Sequence, residues 1–304
     1  MAQSKQKTNR EMLLDTLHST KKTSAEDLLF NYKGILYPST ICSEEMFGAL
    51  ETFEARDDDL LIATYPKCGT NWVVQILHEV VSMIKNQEVV LDQPMIEFGN
   101  PQMLERLKER PSPRIMSSHL IFEVIPKSFI EKKTKILMVI RNPKDAAISF
   151  FNFYKSMPAL PTYESWNLFF KDFIHGNVCY GSYFDYIVEW NKHVDDKKVM
   201  AVTFEDMKID FPTQLKKISE FFELPLTEEQ ICTVQSRTSF TSMKEKSEDT
   251  HGKLGDAFFR KGQIGDWKNL FTEEQSKEVD AKFQQYLAGT KLGELLNYTK
   301  YCKM

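Results

Sequence analysis

A single α/β domain, with a central parallel sheet flanked by helices, is the architecture this sequence predicts. Three observations predict it. Strand-like apolar runs recur along the chain with helical patterns between several of them, the alternation that a parallel sheet requires. One of these runs, Lys135–Ile140 (KILMVI), is apolar almost without interruption, as a central parallel strand should be. The stretch Leu60–Trp72 (LLIATYPKCGTNW) passes from an apolar run through a tight loop into a helical repeat.

Taken in order, residues 1–22 are polar and predict a flexible N-terminal segment, with the domain itself over 23–304. No strong linker and no internal repeat divides that domain. Leu60–Ala63 predicts the first strand, which breaks at Tyr65-Pro66. Lys67, Cys68, Gly69 and Thr70 follow, and then Trp72, Val73, Ile76, Leu77, Val80, Val81 and Ile84 repeat with helical spacing. Such a P-loop-like turn offers free backbone N–H groups and the positive end of a helix dipole to an anion. Lys67 adds a compact mobile charge, and Thr70 adds a hydroxyl donor. The spacing is not that of a Walker A loop. Lys67 precedes Gly69 and Cys68 follows the lysine, so the loop could neutralise a phosphate-like group with no metal. The competing reading is an ordinary strand-to-helix turn with an exposed lysine.

Arg114–Ser117 predicts a second strand that delivers His119 at its end, where an imidazole could take a proton near neutral pH. A structural histidine is the plainer alternative, and the other five histidines lack comparable context. Lys135–Ile140 runs into Arg141, after which Asn142 suits an N-cap, Pro143 the first helical position and Asp145 the third. Arg141 thereby falls at a strand's carboxyl end, where open α/β sheets bind ligands, and its planar fork suits a second phosphate. Ser149 lies two turns into the same helix. Pairing of Arg141 with Asp145 is the competing account. Val199–Thr203 predicts the fourth strand. Thr238-Ser239-Phe240 reads as a helix start, and Thr241–Gly255 as a polar surface loop or lid. Phe258-Phe259-Arg260-Lys261-Gly262 joins two adjacent cations to a glycine and is followed by Gly265-Asp266-Trp267, which suits an anion clamp or a solvated basic turn.

Composition excludes several classes. With 39 Lys and Arg against 43 Asp and Glu the net charge is −4, so no global basic field attracts nucleic acid. The five cysteines are scattered without a C-x-x-C pair, which argues against a disulfide framework and a zinc site. The first residues lack an apolar signal core, and no apolar run approaches about 18 residues. A cytoplasmic protein that requires no metal is the expectation.

Together these segments resemble the cytosolic sulfotransferases, from about Leu28 to Leu296. YPKCGTNW resembles that family's 5′-phosphosulfate loop, RNPKDAAISFFNFY its 3′-phosphate segment, and FFRKG with GDW its C-terminal signature. The flanks ARDDDLLIATYPK and FEDMKIDFPTQLKKISEFF agree, and the chain is most similar to the 6B-type branch. The resemblance implies 3′-phosphoadenosine 5′-phosphosulfate as donor and a hydroxyl or amine of a small hydrophobic acceptor, such as a phenol, sterol, bile acid or iodothyronine. It implies that Lys67, Cys68, Gly69, Thr70 and Asn71 hold the phosphosulfate and that Trp72 and Phe240 sandwich the adenine. Arg141, Ser149, Arg260, Lys261 and Gly262 would hold the 3′-phosphate. Thr238 and Met243 would lie close to the nucleotide, His119 would be the general base, and Lys67 would stabilise the leaving group.

Departures from the family pattern carry their own expectations. Ser117 stands where a lysine is common, and Phe204 replaces a tyrosine that faces the adenine. Cys68 replaces serine; beside Lys67 and a helix N-terminus its thiol pKa would be lowered, unless it is simply a small tolerated residue. In the family's dimer motif Lys268 and Thr272 fit, whereas Glu273 and Lys277 replace the valine and glutamate, so a homodimer through that contact is degraded. Met95, Phe98 and Phe153 could line an apolar acceptor pocket or belong to ordinary core. Two rival functions remain: an NTP-dependent phosphotransferase, which would need the Mg²⁺ ligands the first loop lacks, and a nucleotide-binding protein with weak or no turnover.

Overall fold

The four expected strands pair into one parallel sheet. In the computed structural model, which describes Thr20 and residues 23–86 and 95–303, a hairpin of β1 (Leu29–Tyr32) and β2 (Ile35–Pro38) precedes them. The sheet strands are β3 (Leu60–Thr64), β4 (Ile115–Ser118), β5 (Lys135–Ile140) and β6 (Val199–Thr203), in the order β4-β3-β5-β6. Registers such as Leu61 to Met116, Leu61 to Ile136 and Met138 to Ala201 bring all four carboxyl ends to one edge. Apart from Thr20, the segment predicted to be flexible lies outside the described residues.

Side chains alternate across each strand, so one run feeds two cores. Leu60 and Ile62 of β3, with Leu137 and Val139 of β5, face the helix Thr70–Lys85 and the helices Phe211–Phe221 and Glu228–Arg237. Leu61, Ala63, Ile136, Met138 and Ile140 face the aromatic-rich helices Pro143–Ser156, Trp166–His175 and Tyr183–Asn191. Burial on both faces explains why these strands read as continuous apolar runs. At the amino-terminal edge, away from the loops that follow the strands, the fully buried Arg114 donates from Nε to Asp59 Oδ1 at 2.7 Å. The pair joins the starts of β3 and β4.

Two expectations need correction. Thr241–Gly255 is not a loop: its residues lie in the helices Phe240–Glu245 and Ser247–His251, a 3₁₀ turn and the start of the helix Gly255–Phe258. Short turns whose buried contacts are single residues, here Met243, His251 and Leu254, have no periodicity to read. The second concerns Lys33-Gly34, whose φ values of 51° and 86° make a tight hairpin turn between β1 and β2 that the strand reading above does not include.

Thr272 caps the helix Glu273–Tyr286 through Gln275, and Lys277 pairs with Glu273 at 2.6 Å within it. Those side chains of the degraded dimer motif are thus engaged inside their own helix. Among the described residues no helix is long and apolar enough to cross a membrane.

Candidate active site

A cavity of about 1040 Å³ opens where the carboxyl ends of β3, β4 and β5 meet the loops. It is lined by every site residue predicted from the sequence except Cys68.

The first loop turns sharply because Lys67 and Gly69 adopt positive φ, 67° and 107°, before the helix begins at Thr70. Space favours Gly69 as well: a Cβ there would sit 3.1 Å from the Phe204 ring, a tight contact. Lys67 Nζ lies 4.0 Å from the Phe153 ring centroid and 3.4 Å from the Ala257 carbonyl. Burial, with the positive charges of Arg141 and Arg260 adding to it, pulls its pKa down to about 7. The site thus holds more cationic capacity than it can keep charged without an anion.

Cys68 is a correction. Its side chain is fully buried in the aromatic core, with Sγ directed at the Pro66 carbonyl 3.9 Å away, and its own N–H is used by Tyr65. Burial pushes the thiol up to about 12, against the opposing charge of Arg141. Desolvation outweighs the helix terminus and the lysine that the sequence placed beside it.

Arg141 does not pair with Asp145. Its Nη atoms donate to the Lys67 and Gln263 carbonyls at 3.2 and 2.9 Å, and its guanidinium lies 4.4 Å from the Phe204 ring centroid. Asp145 instead accepts from the Gly265 and Trp267 N–H groups at 2.7 and 2.9 Å, pinning the C-terminal basic turn beside β5. That turn brings Arg260 and Lys261 to the cavity, where Arg260 Nη2 and Lys261 Nζ reach Asp266 at 2.5 and 2.6 Å. Burial opposes ionisation of Asp266, but hydrogen bonds from Lys261 and Arg260 overcome it and bring the pKa to about 2. The Nε groups of Arg141 and Arg260 are buried with no partner among the described residues. Gly262 (φ 59°) lies so close to Phe240 that a Cβ would fall 2.5 Å from its ring.

The aromatic wall is assembled from distant segments. Trp72 donates its indole N–H to the Thr238 carbonyl at 2.9 Å and meets Phe204 edge-on at 5.5 Å. The Thr238 hydroxyl is committed to Val234 O at 2.8 Å, so this threonine supports the indole through its backbone. Ser149, Met243 and Phe240 complete the lining.

His119 stands at the end of β4. Its Nδ1–H donates to the Thr64 carbonyl at 2.7 Å, which leaves Nε2 with its lone pair. Burial lowers the pKa to about 4; the Thr64 bond opposes this, and the Lys67 charge adds to it. Thr64 Oγ1 meets both His119 Nδ1 (3.1 Å) and Thr70 Oγ1 (2.7 Å), so one hydroxyl ties the first loop to the histidine. Ser117, in the place of a family lysine, directs its hydroxyl to Met95 Sδ at 2.9 Å.

Two neighbours escaped the sequence reading. Glu97 is fully buried and accepts the His119 N–H at 2.8 Å; burial raises its pKa to about 7. His251 is buried within the region read as a loop, with Nε2 3.3 Å from Asn71 Nδ2 and Nδ1 2.7 Å from Thr250 Oγ1. Burial, then the Lys67 charge, lowers its pKa to about 4. No local pattern flagged either residue; an acid immediately before Phe98 in a short apolar stretch was the only available hint for Glu97.

A glycine-bearing strand-to-helix loop, a second cationic segment and a histidine around one cavity define a transferase of anionic groups. Comparison with known proteins specifies it. The sulfotransferase domain family model matches residues 57–291. Sulfotransferase 6B1 of Mus musculus is 45% identical over 289 residues, covering 95% of each chain. Sulfotransferase 6B1 of Homo sapiens is 45% identical over 294 residues, covering 96% of this chain and 97% of that one. The crystal structure of mouse sulfotransferase SULT7A1 complexed with PAP is 35% identical, superposes with a TM-score of 0.81, and is covered over 89% of this chain and 98% of that one. The chain belongs to the sulfotransferase family. Within it the chain is of the 6B type, an enzyme that transfers a sulfuryl group from 3′-phosphoadenosine 5′-phosphosulfate. The phosphotransferase reading falls with that membership.

Proposed function

We propose that His119 is the general base of this transfer and that the acceptor is the hydroxyl of a small hydrophobic molecule such as a phenol, sterol, bile acid or iodothyronine. The carrying observation is the 2.7 Å bond from His119 Nδ1–H to Thr64, which fixes the tautomer that leaves the Nε2 lone pair available inside a cavity walled by Met95, Phe98 and Phe153.

The residues present fit the donor. The unpartnered Nε groups of Arg141 and Arg260 call for an anion, and the close approaches at Gly69 and Gly262 leave aromatic faces beside the cations. Arg141, Ser149, Arg260, Lys261 and Gly262 would hold its 3′-phosphate. Lys67, Gly69, Thr70 and Asn71 would hold its phosphosulfate, and Trp72, Phe204 and Phe240 its base, next to Thr238 and Met243. When bound, the donor supplies the sulfuryl group.

Every other contribution comes from the chain. His119 accepts the acceptor's hydroxyl proton at Nε2. Lys67 meets the negative charge that develops on the leaving phosphate oxygen, and an anion beside it raises its pKa from about 7, so that it works as a cation. The loop amides and helix N-terminus hold their dipoles in place beforehand, as in phosphoryl transfer. Transfer of labelled sulfate to a panel of hydroxyl acceptors, by wild-type enzyme and by His119→Ala, tests the reading. Turnover retained in the variant would remove His119 from the role.

A further inference from the structure

Resting on that reading, we propose that the acceptor site contains an anion subsite at Arg106, which selects acceptors carrying a carboxylate at the end remote from the reacting hydroxyl. The segment that begins at Met95, bridged to Ser117 beside the histidine, runs along the cavity wall into the helix Pro101–Lys108. Arg106 is half-buried on the face of that helix that lines the cavity, together with Gln102 and Met103. Its Nη1 rests 3.8 Å from Met103 Sδ, a weak acceptor, and among the described residues no carboxylate pairs with it. Asp256, the one carboxylate among the described residues that line the cavity, is highly exposed and lies 3.7 Å from Lys244. The donor cations differ: Arg260 and Lys261 share Asp266 and belong to the phosphate end. Among the described residues this guanidinium has only a thioether beside it, and in a wall that also carries Met95, Phe98 and Met103 it presents a planar fork that matches a carboxylate. Among the acceptors consistent with the cavity, this favours bile-acid-like and iodothyronine-like hydroxy acids over neutral sterols and simple phenols.

The test is binding of para-hydroxyphenyl alkanoic acids of increasing chain length, each against its methyl ester, to full-length enzyme saturated with PAP. PAP occupies the donor cations, so a carboxylate cannot use them. Charge-assisted hydrogen bonds at a part-exposed site predict that at least one acid binds about tenfold tighter than its ester. Arg106→Gln should collapse that ratio toward unity, and Arg106→Glu should invert it in favour of the ester. No preference for any acid in the wild-type enzyme, or a ratio unchanged in Arg106→Gln, overturns the subsite. Parallel PAP-free samples given 3′-phosphoadenosine 5′-phosphosulfate report transfer separately, so a failure of the proposed base or acceptor class is distinguishable from a failure of the subsite.

Discussion

Where the cavity meets the ends of β3 and β5 it is lined by glycines, backbone amides and cations; where it runs toward Met95 and Arg106 it is lined by methionine and phenylalanine. The first region has little freedom. A methyl group would strike Phe240 at Gly262 and crowd Phe204 at Gly69, and the Nε groups of Arg141 and Arg260 are buried with no partner among the described residues. The second is ordinary apolar packing, tolerant of volume-conserving exchange. On the proposed reading donor binding depends on individual atoms, whereas acceptor choice depends on shape and on one or two polar groups.

His119 lies at the boundary, and the largest effect belongs there. His119→Ala should lower kcat by about 10²–10⁴-fold while PAP affinity measured by calorimetry stays near that of wild type. A variant that loses PAP affinity but keeps turnover would move His119 into the donor region. Next in size, Arg260→Ala should weaken PAP binding by about 10–100-fold, the cost of a charge-assisted hydrogen bond, with a much smaller change in the acceptor KM. Equal losses for donor and acceptor would show that the two regions are not separable.

The same contrast governs what could be read from the sequence. The donor side was legible because its chemistry is punctuated: a lysine and glycine between strand and helix, an Asn-Pro helix start after Arg141, adjacent cations before Gly262. Of the four sheet strands, β3 and β5 were the most legible, because burial on both faces makes them continuous runs. Met95, Phe98 and Phe153 could not be told from core by residue type, because an apolar cavity wall and a core present the same side chains. Glu97 and His251 were hidden because each acquires its partner, the His119 amide and the Asn71 side chain, only through tertiary folding. Of the two readings of Cys68 the lowered thiol pKa failed and the small tolerated residue stood, because local sequence shows neighbouring charges but not desolvation.

Proton linkage sharpens the comparison with a smaller signal. Lys67 is held near pH 7 by burial and by Arg141 and Arg260, so part of its population is neutral at pH 7–8 when no anion is bound. An anion raises that pKa, and binding must then draw a proton from solution. Calorimetric titration of PAP in two buffers of different ionisation enthalpy should show net proton uptake, which Lys67→Met should abolish. Net release would place the titrating group elsewhere. His119 and His251 carry the linkage into stability: both have folded pKa values near 4, below the ordinary histidine value of 6.5. The unfolded chain therefore binds more protons between those limits, and stability should fall as the pH drops from 6.5 toward 4.

The smallest effect concerns Cys68, a loop residue that, like Tyr65, does not line the cavity. Its neighbours in sequence are among the most exacting in the site, yet its own environment is that of the aromatic core. A thiol pushed up to about 12 holds almost no thiolate at neutral pH, and full burial denies a reagent access. Brief treatment of the native enzyme with iodoacetamide should therefore label the exposed Cys232 and spare Cys68, with or without PAP. Mass spectrometry that found Cys68 labelled, and protected by PAP, would return the thiol to the donor region. Cys68→Ser should cost little in turnover, because the hydroxyl fits the same volume and Pro66 O is there to accept its proton.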